Sequence, residues 1–186
     1  ERVRAATGLP IGINVLANAA HTALAVAKDS QAGFVRVNEW ANAYVANEVI
    51  IEGHAVSATR YRAWLRASDV RIFADVHVKH GAHAIVADRS LEELVRDAEF
   101  FDADVLIATG QRTGDAATIG EVEAIKSAAA LPVVVGSGVD ETNVADILSV
   151  ADGAIIASSL KRDGVWWNED YPERARSLMG RKSPNR

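Results

Sequence analysis

Six short runs rich in β-branched residues, each followed by a longer stretch with helical periodicity, set the narrowest limit on how this chain can fold. The runs are PIGINVL (10–16), GFVRVN (33–38), VRIFADVHVK (70–79), DVLIAT (104–109), PVVVGS (132–137) and GAIIAS (153–158). Several are apolar at every position over their first half, as expected of strands covered on both faces in a parallel sheet. Between them, SLEELVRDAEFF (90–101) opens with a capping box, Ser90 and Glu93, and puts Leu91, Leu94, Val95, Ala98 and Phe101 on one stripe. Thr118 and Glu121 repeat the device before TIGEVEAIKSAAA, Pro132 ends that helix, and Asp140 is placed to cap ETNVADILS. The predicted fold is α/β: a TIM-type (β/α) barrel truncated to about six βα units, with an open doubly wound parallel sheet as the alternative. One domain spans residues 1–186, with 180–186 expected as a disordered tail.

Charge and composition exclude several functions. A formal net charge of −5, from 25 acidic and 20 basic residues, offers no basic field for nucleic acid. There is no cysteine, which removes disulfides, thiolate metal sites and a cysteine nucleophile and fits a cytoplasmic setting. No apolar run approaches the roughly 20 residues that cross a bilayer. The opening ERVRAATGLP has neither an initiator Met nor a signal-peptide pattern, and reads as part of something longer.

The chemistry gathers where strands end. Side chains alternate across a strand, so Asp75, His77 and Lys79 are expected on one face and Val76 and Val78 on the other. Arg36 and Asn38 repeat this parity, while Asn14 and Thr109 close their own strands. Four strands thus turn polar at their C-terminal ends, where barrels and doubly wound folds both carry active sites. Structural salt bridges inside a barrel are the alternative for each of these residues. Two further strand ends suit an anion. Gly136, Ser137 and Gly138 lie between a strand and a helix start, and Ser158, Ser159 and Lys161 follow the last strand. Glycine admits a ligand close to the backbone, and barrels often hold phosphate after strands 7 and 8. The same glycines also serve a tight turn.

Other chemistries fit less well. His77, His80 and His83 with Asp75 suggest a metal, but on a strand followed by a loop His77 and His80 diverge, and no HExxH is present. The expected site therefore contains no metal. Serine hydrolysis at Ser137, Ser158 or Ser159 lacks a G-x-S-x-G elbow. His21 and His54 fall in helical segments and read as surface or interfacial. The connection EWANAYVANEVIIEG (39–53) reads as a lid, or as a helical turn packing Trp40, Tyr44 and Ile50 at an interface.

The set PIGINVL, FVRVN, IIEG, RYR, ADVHVKH, TGQRTG, VGSGV, ADGAIIASSLKRDG and PERAR, in one collinear order over roughly residues 9–178, resembles the BtpA family, named for a photosystem I biogenesis protein. That resemblance implies a ribulose-phosphate-binding type of (β/α)₈ barrel. Its pattern covers Asn14, Arg36, Asn38, Asp75, Lys79, His80, Thr109, Gly114, Gly136, Ser137, Gly138 and Lys161. Two departures stand out. Asn47-Glu48-Val49 replaces the family's Asp-Gln-Gly before IIEG, and the family's first two βα units are absent. Six strands do not close a barrel, so the outer strands are expected to pair between copies in a homo-oligomer.

These readings converge on a protein that binds a small anionic or phosphorylated molecule without a cofactor. Isomerisation or hydrolysis would use Asp75 as base or orienter, His80 as proton carrier and Lys79 to neutralise developing charge. Asn14, Arg36, Asn38, His77 and Thr109 would contact the ligand, and Gly136, Ser137, Gly138, Ser158, Ser159 and Lys161 its phosphate. The rivals are a non-catalytic assembly factor, using Trp166-Trp167 and the 39–53 loop, and a promiscuous esterase-like hydrolase.

Overall fold

The structure, a computed structural model, describes residues 2–47, 49–110, 112 and 114–180. The tail 181–186 therefore lies outside the described residues, as does Glu48 of the family departure. Six parallel strands form one sheet: β1 (Gly12–Asn14), β2 (Phe34–Val37), β5 (Arg71–Val76), β7 (Val105–Ala108), β8 (Val133–Val135) and β9 (Gly153–Ala154). Their spatial order is their chain order. A doubly wound sheet reverses direction at a switch point, and this one does not, so the alternative topology is excluded and the sheet is a partial barrel. Right-handed crossovers then put all the connecting helices on one side.

Those helices are α2 (Ala20–Ser30), α3 (Ala55–Trp64), α4 (Leu91–Phe100), α5 (Ile119–Ala128) and α6 (Val144–Val150), with α1 (Arg2–Ala6) before the sheet and α7 (Pro172–Met179) after it. Two caps form as the sequence indicates. The hydroxyls of Ser90 and Thr118 each accept from the backbone N–H three residues on, both at 3.2 Å. Asp140 instead accepts from Thr142 and Asn143 N–H and closes the turn ahead of α6.

Strand alternation divides the sheet into two faces. Ile72, Ala74 and Val76 of β5 enter the core beneath the helices with Val95 and Ala98 of α4, as do Val35, Val37, Leu106, Val133 and Val135. The other face lines the hollow of the half-barrel. There the rings of Phe34 and Phe73 stack at 4.4 Å, and Arg36 and Asp75 stand one strand-repeat above them.

The 39–53 connection is neither an open loop nor a helical turn. It is a hairpin of β3 (Ala43–Ala46) and β4 (Ile50–Glu52), joined by β6 (Gly81–Ala82) from the loop after β5. Trp40, at its base, is a core residue whose indole N–H donates to Phe101 O at 3.0 Å. The Asn18 amide joins the loop after β1 to both ends of this segment, donating to Glu52 O at 3.0 Å and accepting from Glu39 N–H at 2.8 Å. A Cβ on Gly81 would overlap the Tyr44 ring, so the third strand depends on glycine there.

Candidate functional site

The inner face at the strand C-termini carries a connected polar network. The Arg36 guanidinium grips Asp75 with two hydrogen bonds of 2.8 Å, from Nε to Oδ1 and from Nη2 to Oδ2. Asn38 donates to Asp75 Oδ2 at 3.3 Å, and the Asn14 amide donates to Arg36 O at 3.0 Å and to Asn38 Oδ1 at 3.3 Å. The Asp75 side chain is 0% exposed. Burial pushes its carboxyl above the usual range, against the opposing pull of the Arg36 hydrogen bonds and charge and of the Asn38 amide.

Glu39 completes this cluster and was not singled out from the sequence. It is only 7% exposed, and its pKa is pushed up to about 8, chiefly by burial and then by the Asp75 charge. Among the described residues, none donates a hydrogen bond to its carboxyl group. It lines a cavity of about 20 Å³ with Asp75, His77, His83 and Asn42, bordered by Leu94 and Ala98 of α4. That volume matches one water molecule. Its position directly after Asn38 at a strand end is the one available signal; the groups around it come from the end of β5, the loop after it and α4.

β5 stops at Val76, and His77 has φ 56°, in the left-handed region. The expected alternation from Asp75 through His77 to Lys79 is therefore broken by a turn. His77 swings toward the small cavity, 4.0 Å from the His83 ring between centroids, with Nδ1 3.9 Å from Glu121 Oε1. Burial, then His83, lowers its pKa. Lys79 turns the other way. Its backbone N–H donates to Thr109 Oγ1 at 3.0 Å and its ammonium to Ser137 Oγ at 3.2 Å. Burial and the neighbouring Arg36 hold the Lys79 ammonium below the usual lysine range, with Asp75 opposing.

Lys79 and Arg36 thereby reach a larger cavity of about 440 Å³ at the other half of the mouth. Gly136, Ser137, Gly138, Ser158 and Ser159 line it. A Cβ on Gly136 would stand 2.5 Å from Ile107 Cγ2 and 3.2 Å from Arg36 Nη2, so this glycine leaves the space through which Arg36 reaches. Gly138 has φ 64° and packs against the Ala116 backbone. Ser137 Oγ also receives Gly114 N–H at 3.3 Å, and Ser159 Oγ donates to Val139 O at 2.7 Å. Acidic side chains, Asp140, Glu141 and Asp163, share the lining.

Of the expected site residues, Asn14, Asn38, Asp75, His77 and Thr109 do not line the larger cavity, and two others lie outside the polar network as well. The Lys161 ammonium is paired with Asp170 at 2.8 Å and does not line the cavity. Arg174 of α7 lines the cavity instead, donating to Ser159 O at 3.1 Å. His80 is exposed, with φ 66°, and lines neither cavity. Among the described residues no three His, Asp or Glu side chains are arranged to hold a metal ion, and no helix is long and apolar enough to cross a membrane.

A profile of the BtpA family matches residues 1–183. The chain belongs to the BtpA family. It is 41% identical over 166 residues to the photosystem I biogenesis protein BtpA of Synechocystis, covering 88% of this chain and 57% of that one. It is 38% identical over 158 residues to an uncharacterized mitochondrial protein of Caenorhabditis elegans, covering 85% and 57%. The chain thus spans less than two thirds of the length of these BtpA relatives. Among solved structures it resembles orotidine 5′-phosphate decarboxylase of Pyrococcus horikoshii, with TM-score 0.58, 15% identity, and coverage of 95% and 76%. It also resembles thiamine phosphate pyrophosphorylase of Pyrococcus furiosus, with TM-score 0.52, 18% identity, and coverage of 91% and 80%. Both likenesses are of fold, and both are of TIM-barrel type.

Proposed function

We propose that this BtpA-family chain binds a small phosphorylated molecule in the 440 Å³ cavity and acts on it by acid/base chemistry, as an isomerase or a hydrolase. The observation that carries this reading is the convergence of the Gly136–Gly138 loop, Lys79 and Arg36 on one cavity beside a buried carboxyl cluster. Phosphorylated molecules in the names of two fold neighbours agree with it. In this reading the glycine loop, Ser158 and Arg174 hold the phosphate, and Lys79 faces the charge that develops in the reaction. Asp75 orients Arg36. His80 has no part in this reading, and Glu39, protonated near neutral pH, lies with Asp75 in the smaller cavity rather than in the one that holds the ligand. No step in this scheme calls on a cofactor, and the cysteine-free sequence fits a cytoplasmic setting.

A ligand that binds only the folded state raises the melting temperature. Inorganic phosphate and sugar phosphates at millimolar concentration are expected to raise it by several degrees, and Gly138→Val is expected to abolish the rise. Indifference to every anion would sink the reading. It would favour a second one, a non-catalytic assembly role, which rests on the adjacent exposed indoles of Trp166 (59%) and Trp167 (71%) and on the name of the cyanobacterial relative. Self-association belongs to either reading, because β1 and β9 each have one pairing partner in the sheet.

A further inference from the structure

We propose that Lys79 is a covalent residue, forming an imine with the carbonyl carbon of a small phosphorylated aldehyde or ketone; this rests on the phosphate reading above. The geometry first separates Lys79 from the other lysines. The chain has five. Lys28 is paired with Asp69, Lys126 with Asp152 and Lys161 with Asp170. Lys79 is the one described lysine without a carboxylate partner. The obvious candidate, Asp75, is already committed to Arg36 through both oxygens. In its place the ammonium meets a hydroxyl, Ser137 Oγ at 3.2 Å, and the residue's backbone is held by Thr109. An ion pair fixes a lysine as a cation; a hydroxyl contact holds it in position while leaving its lone pair recoverable.

The cavity supplies the rest. Lys79 sits on the wall shared by the anion loop and the Arg36–Asp75 pair, so a ligand whose phosphate rests on Gly136–Gly138 has its next few carbons near Nζ. Burial, then the neighbouring guanidinium, favours the neutral amine, the form that attacks, against the opposing charge of Asp75. The step balances without an external oxidant or reductant. The nitrogen lone pair forms the C–N bond, and the carbonyl oxygen leaves as water, taking one proton from nitrogen and one from the medium. The product is a protonated imine, which acidifies the adjacent C–H and so serves isomerisation or carbon–carbon bond chemistry.

The test is reductive trapping at neutral pH with cyanoborohydride, read by intact mass and peptide mapping. The probes are glyceraldehyde 3-phosphate, dihydroxyacetone phosphate and unphosphorylated glyceraldehyde. The expected result is one adduct, on Lys79, at least tenfold faster than on Lys28, Lys126 or Lys161, and faster still for the phosphorylated probes. Lys79→Arg, which keeps the charge, is expected to lose it while still melting higher with phosphate. Ser137→Ala is expected to slow it. Equal labelling of all lysines, or none at Lys79, overturns the proposal. If glycerol 3-phosphate, which has no carbonyl, raises the melting temperature but no adduct forms, the imine fails and the anion site stands. An adduct on Lys79 formed equally fast without a phosphate, and with no melting shift, supports the imine and removes the anion reading.

Discussion

Glu39 is the residue whose environment differs most from what its neighbours in sequence imply. A glutamate after a strand is ordinarily solvated, but here its backbone N–H is taken by Asn18, the residue is buried, and it shares a small cavity with His77 and His83 from the loop after β5 and with Leu94 and Ala98 of α4. Its folded pKa of about 8 lies above the unfolded value of 4.5, so the native state retains a proton that the unfolded chain has released between those two points. Stability is therefore fully present at and below pH 4.5 and declines by about 1.4 kcal/mol per pH unit through this group as pH rises toward 8. Glu39→Gln is expected to match the native chain near pH 5 and to gain on it steadily up to pH 8. Urea unfolding at four pH values measures the difference, and a constant offset would refute the assignment. Sequence alone did mark Arg36, Asn38 and Asp75, because strand parity reports which residues share a face. It did not mark Glu39 or Arg174, since the groups that bury or aim them come from distant segments.

At the scale of elements, local signals carried most of the sheet and its helices. The Ser90 and Thr118 caps and the apolar strand runs depend on neighbours within a turn or a strand, and these formed. The small second sheet was not legible. Its strands have four, three and two residues, and Val45 pairs with Ala82 across a gap that includes α3 and β5. Pairing that distant leaves no periodic trace. The last strand is shorter than the GAIIAS run implies for a related reason: after Ala154 the chain leaves the strand to build the cavity wall at Ser158 and Ser159. Gly136 links element packing to the site. Gly136→Ala puts a methyl group 2.5 Å from Ile107 Cγ2, and Ile107 is fully buried. A cost of about 1–3 kcal/mol is expected. Arg36 Nη2, 3.2 Å from the same point, is displaced with it. Chemical denaturation and the phosphate-dependent melting shift together check both effects, and unchanged stability would mean the two loops are less tightly packed than described.

At the largest scale the described residues form an arc of sheet with an edge at each end. The N–H and C=O groups along the outer sides of β1 and β9 are unpaired within the sheet, and proteins seldom leave such edges open. Light scattering coupled to size exclusion is expected to find a discrete oligomer, and a monodisperse monomer would reject edge pairing. Barrel-type wrapping was legible because the βα alternation is a property of the entire sequence, and chain-order pairing distinguished it from the doubly wound alternative. The arc also divides labour along the chain. The Arg36–Asp75–Glu39 cluster comes from β2, the residues just after it and β5, whereas the glycine and serine walls come from the segments after β8 and β9. Under the proposed function, a lineage built this way would inherit its ligand handle and its reactive groups as separate blocks of sequence. Drift in the earlier block would then change what is done to a molecule while the later block keeps hold of it, so homologues with different reactions could share one class of substrate.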